Sequence, residues 1–315
     1  MRLTTLPALA AVTVVVLAGC GSDDDPAPAA TIPAETSTST STSAPAETPS
    51  PTTDPAVAAA LAALETDYAA RLGVYAVDTG TGETVEHRPD ERFAFASTHK
   101  MLSAAAVLQA TEPADLAEVI AFDAADVVGF SPVTEPAAGT GLTLQQIIEA
   151  AITVSDNTAA NLLFEQVGGP DGLEAVVRDF GDEATSFDRI EPDLSDWVPG
   201  ETRDTTTPRA MAANVEGLLL GDLLAEEDRT LLHDTMRANT TGDELIRAGV
   251  PDGWVVADKT GSASHGGRND IAVLEPPGAA PIVLAVYSNR LDPEAESDPA
   301  LIAAAAAIVV DEFAG

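Results

Sequence analysis

The chain is 315 residues long, with 51 acidic against 15 basic side chains and a formal net charge of −36. Acids outnumber bases near the start and through the remainder, so nucleic acid and other polyanions are disfavoured partners and the acidity is read as a solubility device. Cys20 is the only cysteine, which excludes an intramolecular disulfide even in an oxidising compartment.

Arg2 precedes an apolar run from Leu6 to Ala18, which ends in Leu17-Ala18-Gly19-Cys20. This pattern reads as a short secretory signal, and the run is too short to span a bilayer comfortably. Leu-Ala-Gly-Cys resembles the bacterial lipobox. That resemblance implies removal of residues 1–19, lipid attachment at Cys20, and a protein carried across the cytoplasmic membrane and anchored on its outer face. A plain signal peptide with an incidental cysteine is the competing reading. Residues 20–55 are Ser, Thr, Pro, Ala and acids with almost no large apolar side chains. Such a segment cannot bury enough surface to fold and is expected to act as a tether. With about 35 flexible residues its ends lie on the order of 30 Å apart. Residues 56–315 suffice for one large domain or two lobes sharing a core.

Pro55 to Ala70 is expected to form an amphipathic helix, with Leu61 and Leu64 on its apolar side. Leu72–Val77 and Glu83–His87 alternate around Asp78-Thr79-Gly80-Thr81-Gly82, a hairpin signal. From Thr98 to about Gly221 the pattern is mainly helical. Thr143 is a candidate N-cap before Leu144–Thr153, and Gly168-Gly169 ends the next helix. Short apolar strands follow at Trp254–Asp258, Asn269–Leu274 and Ile282–Ser288, then a helix from about Pro299 to Phe313. Strands at both ends around a helical middle predict an α/β fold of the α+β kind. An antiparallel sheet would be flanked by N- and C-terminal helices, with an all-helical lobe inserted over about 93–220 and a cleft between the lobes.

One charge is out of place in this pattern. No Gly or Pro interrupts Thr98–Ala110, and Lys100 lies among Ala, Leu, Val and Met, so its ammonium is expected to be buried and in need of partners. Ser97, three residues earlier, would share its helix face. The spacing alone suits an ordinary helix start, but a serine beside a buried amine at a helix N-terminus is a candidate activated nucleophile, with backbone N–H groups placed to hold an oxyanion.

Three other segments supply groups such a pair needs. Ser155-Asp156-Asn157 taken alone suits an N-cap. In an extended turn, Ser155 and Asn157 point to one side and Asp156 to the other, which lets Ser155 relay a proton while Asn157 binds Lys100 and a substrate carbonyl. A long irregular stretch runs from Arg189 to Pro208, and a loop of that length inside a compact domain is usually functional or disordered. Leu194 and Trp197 argue for order, an Arg189–Asp204 ion pair would pin the ends, and Glu191 would then be held where it can deprotonate water. Lys259-Thr260-Gly261-Ser262 closes the strand from Trp254. Thr260 and Ser262 share a face, Gly261 permits close approach of the opposite lobe, and Lys259 directs charge toward Ser155 and an anionic substrate. Arg268 is either a carboxylate-binding guanidinium or a surface arginine.

In order and spacing, Ser97-x-x-Lys100, Ser155-Asp156-Asn157 and Lys259-Thr260-Gly261 resemble the signature elements of class A serine β-lactamases and penicillin-binding proteins. Arg189-x-Glu191-Pro192-x-Leu194 through Arg203-Asp204-Thr205-Thr206 resembles the class A Ω-loop, which penicillin-binding proteins lack. The resemblance implies attack by Ser97 on a lactam carbonyl, with the N–H groups of Ser97 and Ser262 as the oxyanion hole. It implies that Lys100, or Glu191 through a water, takes the serine proton, that Ser155 and Lys259 protonate the departing nitrogen, and that Glu191 activates the deacylating water. Phe130 resembles the aromatic wall at the cleft mouth, and Arg268 the carboxylate-binding arginine. No metal and no organic cofactor are implied, and the protein is expected to act as a monomer on a small β-lactam. Three positions depart from the pattern. Ser195 replaces the usual asparagine that helps hold the deacylating water, Ala263 replaces a frequent glycine, and His99 stands where an apolar aromatic is commoner and is expected to pack in the core, pointing away from Ser97. A D-Ala-D-Ala carboxypeptidase and a penicillin-binding sensor are the competing functions; the Glu191 loop argues against the first, and Ser195 keeps the second in view.

Overall fold

A computed structural model describes residues 53–314; the signal, Cys20 and nearly all of the tether lie outside them. The first helix, α1 (Pro55–Asp67), is capped by the Asp54 side chain, which accepts from the Ala56 N–H, with proline in the first turn. It ends three residues short of the expected Ala70. The hairpin follows as β1 (Arg71–Asp78) and β2 (Thr84–His87). The Asp78 side chain accepts from the Gly80 and Thr81 N–H groups at 2.7 and 3.0 Å, an Asx turn of the kind aspartate favours.

A two-residue strand, β3 (Phe93–Ala94), leads through a single 3-10 turn at Ala96–Thr98 into α2 (His99–Ala110). Every residue of α2 from His99 to Leu108 is buried, as an apolar helix without a polar face must be. The strands β4 (Val119–Ile120) and β5 (Leu142–Thr143) form a ribbon. Thr143 then caps α3 (Leu144–Thr153) through a full capping box with Gln146, as the sequence predicted. Two more helices complete the inner lobe: α4 (Asn157–Gln166), capped by Asp156, and α5 (Gly169–Asp179), entered through left-handed Gly168.

The lobe is not purely helical, because β3 pairs with β6 (Thr205–Thr206) and β4 with β5. The next helix, α6 (Pro208–Leu219), packs on the sheet. A further helix, α7 (Glu226–Arg237), lies in a stretch for which the sequence pattern gave no element.

The chain closes with β7 (Val255–Ala263), β8 (Gly267–Glu275), β9 (Ile282–Asn289) and α8 (Pro299–Ala314). All five long strands join one antiparallel sheet in the order β2-β1-β9-β8-β7. The hairpin from the start of the fold is therefore completed by strands from its end, the topology expected from the sequence.

Both faces of the sheet are covered, and β9 shows how. Val283, Ala285 and Tyr287 join the core shared with the helical lobe, whereas Ile282, Leu284 and Val286 join the core beneath α1 and α8. Strand alternation sends successive side chains to opposite faces, so a doubly covered strand reads as a continuous apolar run. Each Val, Leu or Ile among them contributes about 1.5–3 kcal/mol on burial. The edge strand β7, left unpaired on its outer side, faces the helical lobe and forms one wall of the cleft.

Candidate active site

Ser97 lies in the 3-10 turn rather than in the first turn of α2. The turn is anchored by its own backbone and by the sheet. Thr98 Oγ1 donates to the Phe95 carbonyl at 2.7 Å and meets the Tyr287 hydroxyl at 3.0 Å, and Asn269 Nδ2 donates to the Ala94 carbonyl at 2.8 Å. Ala96 holds a left-handed backbone, φ +46°, a strained conformation for a residue with a Cβ that surrounding contacts must stabilise.

Lys100 is fully buried, and its Nζ is surrounded by acceptors. The Ser155 carbonyl lies at 2.8 Å, Asn157 Oδ1 at 2.6 Å, Ser155 Oγ at 3.3 Å and Glu191 Oε1 at 3.1 Å. Burial pushes the amine below its usual value, and the Glu191 charge opposes that shift. Glu191 is itself buried but is held down to about 2, because Lys100 and His99 outweigh the cost of burying the carboxylate. The carboxylate is thus ionised at neutral pH, and Ser97 Oγ donates to it at 3.3 Å.

The Ser155 segment satisfies both of its readings. Asp156 caps α4 through the Ala159 N–H and also accepts from Val133 N, Thr134 N and Thr134 Oγ1 at 2.7–3.0 Å, which fastens the 130–134 loop. Ser155, with φ +60°, and Asn157 face the cleft. Asn157 Nδ2 donates to the Gly129 carbonyl at 3.0 Å, and its backbone N–H donates to the Phe130 carbonyl. Phe130 is left exposed at the mouth.

From β7, Lys259 Nζ donates to Ser155 Oγ at 3.1 Å and to the Thr260 carbonyl at 2.9 Å. Burial and the neighbouring Lys100 charge push this lysine down to about 7. One hydroxyl oxygen therefore accepts from two amines, and its own proton remains free to point into the cleft.

The loop carrying Glu191 is pinned as expected. Asp204, fully buried, accepts from Arg189 Nε at 2.5 Å and from the Asp188 and Arg189 N–H groups at 2.9 and 3.0 Å. Leu194 and Trp197 are buried beneath it. On the other side, the Ser195 carbonyl accepts from the Ser264 N–H at 3.0 Å, and Ser264 Oγ donates to Asp196 Oδ1 at 2.9 Å, which ties the loop to the β7–β8 turn.

These elements enclose a cavity of about 470 Å³ lined by Ser97, Ser155, Glu191, Ser195 and the Thr260–Ser262 edge, with Phe130, Asn157 and Arg268 around it. Lys100 and Lys259 stand behind the wall. All twelve expected site residues of the folded region thus converge, whereas Cys20 lies outside the described residues. Among the described residues, no three His, Cys, Asp or Glu side chains group as metal ligands.

Sequence reasoning missed two supporting residues and one contact of a third. Asn161 clamps the Glu191 backbone, donating from Nδ2 to its carbonyl and accepting from its N–H, both at 2.9 Å. Its one signal was a polar side chain four residues after Asn157, hence on the same helix face. Thr241 meets Thr260 Oγ1 at 2.6 Å and lines the cavity, and nothing local marks it. His99 does pack in the core, stacked on Phe164 with centroids 5.1 Å apart, but it is not remote from the chemistry. Its Nε2 lies 3.5 Å from Glu191 Oε1.

A serine held against an ionised carboxylate, with two buried amines converging on a second hydroxyl between a sheet edge and a helical lobe, defines a serine acyl-transfer enzyme of the class A β-lactamase type. Comparison with known proteins agrees. Residues 56–313 match the profile described as the beta-lactamase enzyme family, and the chain belongs to that family. It is 55% identical over 257 residues to a beta-lactamase of Amycolatopsis lactamdurans, covering 82% of this chain and 85% of that one. It is 50% identical to a beta-lactamase of Bacillus subtilis, covering 79% and 82%. Among solved structures, a class A beta-lactamase from Clostridium kluyveri aligns with TM-score 0.82 at 42% identity, covering 83% of this chain and all of that one.

Proposed function

We infer that the chain hydrolyses the β-lactam amide bond of penicillin- and cephalosporin-type antibiotics through an acyl-enzyme on Ser97. The observation that carries this reading is the 3.1 Å approach of Lys100 Nζ to Glu191 Oε1, with Ser97 Oγ 3.3 Å from the same oxygen. Since acceptors surround the Lys100 ammonium, Glu191 is the better base for the Ser97 proton. Attack on the carbonyl then builds an oxyanion that the Ser97 and Ser262 N–H groups stabilise; loss of one such donor costs about 3–4 kcal/mol of barrier. Ser155 delivers its free proton to the departing nitrogen and is reprotonated from Lys259 or Lys100; the proton that Glu191 took from Ser97 passes to Lys100 Nζ, 3.1 Å away, which restores the relay and leaves Glu191 ionised again. Thr260, Ser262, Arg268 and Asn157 hold the substrate's carboxylate and amide, and Phe130 covers its side chain.

Glu191 next deprotonates a water that cleaves the ester, with Ser195 as a weaker holder of that water than an asparagine. This step separates a lactamase from a carboxypeptidase or a sensor that a β-lactam merely inactivates. Export, loss of residues 1–19, lipid on Cys20, residues 20–55 as tether, and a monomer working outside the cytoplasm complete the reading.

Intact-protein mass spectrometry during penicillin exposure tests it. The expected result is a transient adduct on Ser97 that decays with sustained turnover, and one that persists in Glu191→Ala. A stoichiometric adduct that never decays in the unaltered protein overturns hydrolysis.

A further inference from the structure

His99 is fully buried within the aromatic rings of Phe95, Phe164 and Phe187. One side of its ring is satisfied, because Nδ1 lies 3.0 Å from Ser103 Oγ. The other is not: Nε2 has no hydrogen-bond partner and points at Glu191 Oε1 from 3.5 Å, slightly beyond ordinary hydrogen-bond reach. A buried polar atom is rarely left without a partner, and here the nearest candidate is the carboxylate that the reading above makes the deacylating base.

We propose that His99 is a positioning residue for Glu191, and that the proton state of its imidazole sets the acid limb of acyl-enzyme hydrolysis. The proposal rests on the assigned role of Glu191. An ionised carboxylate facing Nε2 favours the tautomer protonated there, and the neutral ring then offers that proton to Glu191 without competing for the base. A second proton, taken from solvent at lower pH, makes the ring a cation beside Oε1. Glu191 then answers to two cations, Lys100 and His99, and abstracts a proton from water less readily.

The charged groups acting on His99 are Glu191 from the pinned loop, Lys100 on its own helix and Lys259 from β7. Burial and the two lysines oppose the imidazolium, and only Glu191 favours it; the ring is held below its ordinary value and is neutral at pH 7. Glu191 itself is held down to about 2, so an acid limb well above that pH belongs to another group, and His99 is the neutral titratable side chain that faces its carboxylate.

The test follows single-turnover decay of the Ser97 adduct between about pH 4 and pH 8 in the unaltered protein, His99→Phe, His99→Gln and Glu191→Gln. Phenylalanine refills the aromatic cage, and glutamine keeps a donor that does not titrate. Both are expected to move the acid limb down by about one pH unit or more, and His99→Gln, which keeps a donor for Glu191, is expected to retain more of the neutral-pH rate than His99→Phe. A limb left in place by both overturns the proposal. NMR of the labelled imidazole supplies a readout independent of the variants' folding. The His99 titration must coincide with the kinetic limb and fall in Glu191→Gln, and a His99 that titrates elsewhere overturns it. If Glu191→Gln still deacylates at the unaltered rate, the role of Glu191 fails instead, and the proposal falls with it.

Discussion

Gly261 passes so close to the turn bearing the nucleophile that a Cβ there would stand 2.9 Å from the Phe95 carbonyl oxygen and 3.3 Å from the Ala96 Cβ. That carbonyl already accepts from Thr98 and Asn269, so the turn has little room to retreat. Gly261→Ala is expected to displace Ser97 relative to the β7 edge and lower kcat/KM for a chromogenic cephalosporin by about tenfold to a hundredfold. A variant with unaltered kcat/KM would show that the two walls move apart freely.

Asp204 has no access to solvent, and three donors converge on it from the start of the loop. Asp204→Ala removes the acceptor of Arg189 Nε and of two backbone N–H groups, a loss of about 3–5 kcal/mol for a buried pair broken on one side. Thermal unfolding should fall by on the order of 10 °C. Because Glu191 rides on this loop, the acyl-enzyme should accumulate at a temperature where the fold persists. Equal slowing of acylation and deacylation would argue against a specific role for the pinned loop.

Lys259, pushed down to about 7, is a cation below that pH and neutral above it. Attraction for an anionic substrate, and the supply of a proton to Ser155, are then present at lower pH and lost as the pH rises through 7. The second-order acylation constant should fall by about tenfold for each pH unit on this alkaline limb. In Lys259→Arg, which stays charged, the limb should move well above pH 9. A limb unchanged by the substitution would assign it to another group.

Ser195 lines the cavity with a short hydroxyl that has one donor, where a longer asparagine amide would offer two N–H donors and a separate carbonyl acceptor. Ser195→Asn should shorten the life of the Ser97 adduct by about twofold to tenfold and leave its formation unchanged, as single-turnover mass spectrometry can resolve. A longer-lived adduct would mean that the hydroxyl suits this loop better than the amide does.

Much of the site was legible because its parts are local. The Ser97 and Lys100 spacing, the alternation that puts Thr260 and Ser262 on one face, the Arg189 and Asp204 pairing and the Thr143 cap each depend on residues close in sequence or on complementary charge. The α7 helix was not legible, since its polar sequence between Glu226 and Arg237 buries only Leu232, Thr235 and Met236 and gives a weak apolar stripe. Placement of α6 on the sheet was equally hidden, because an amphipathic pattern says that a face is buried and not against what.

What the sequence determined by itself was therefore the chemical inventory and the order of the sheet strands and of the apolar helices, both written in short-range spacing. Only the tertiary structure decided that Ser97 and Glu191, 94 residues apart, meet at 3.3 Å, that one hydroxyl serves Lys100 and Lys259, and that His99 faces the base. Those distances exist because the N-terminal hairpin is completed by the C-terminal strands, which brings the edge of β7 against the helical lobe. No local propensity encodes that closure; it follows from burying both faces of one sheet at once.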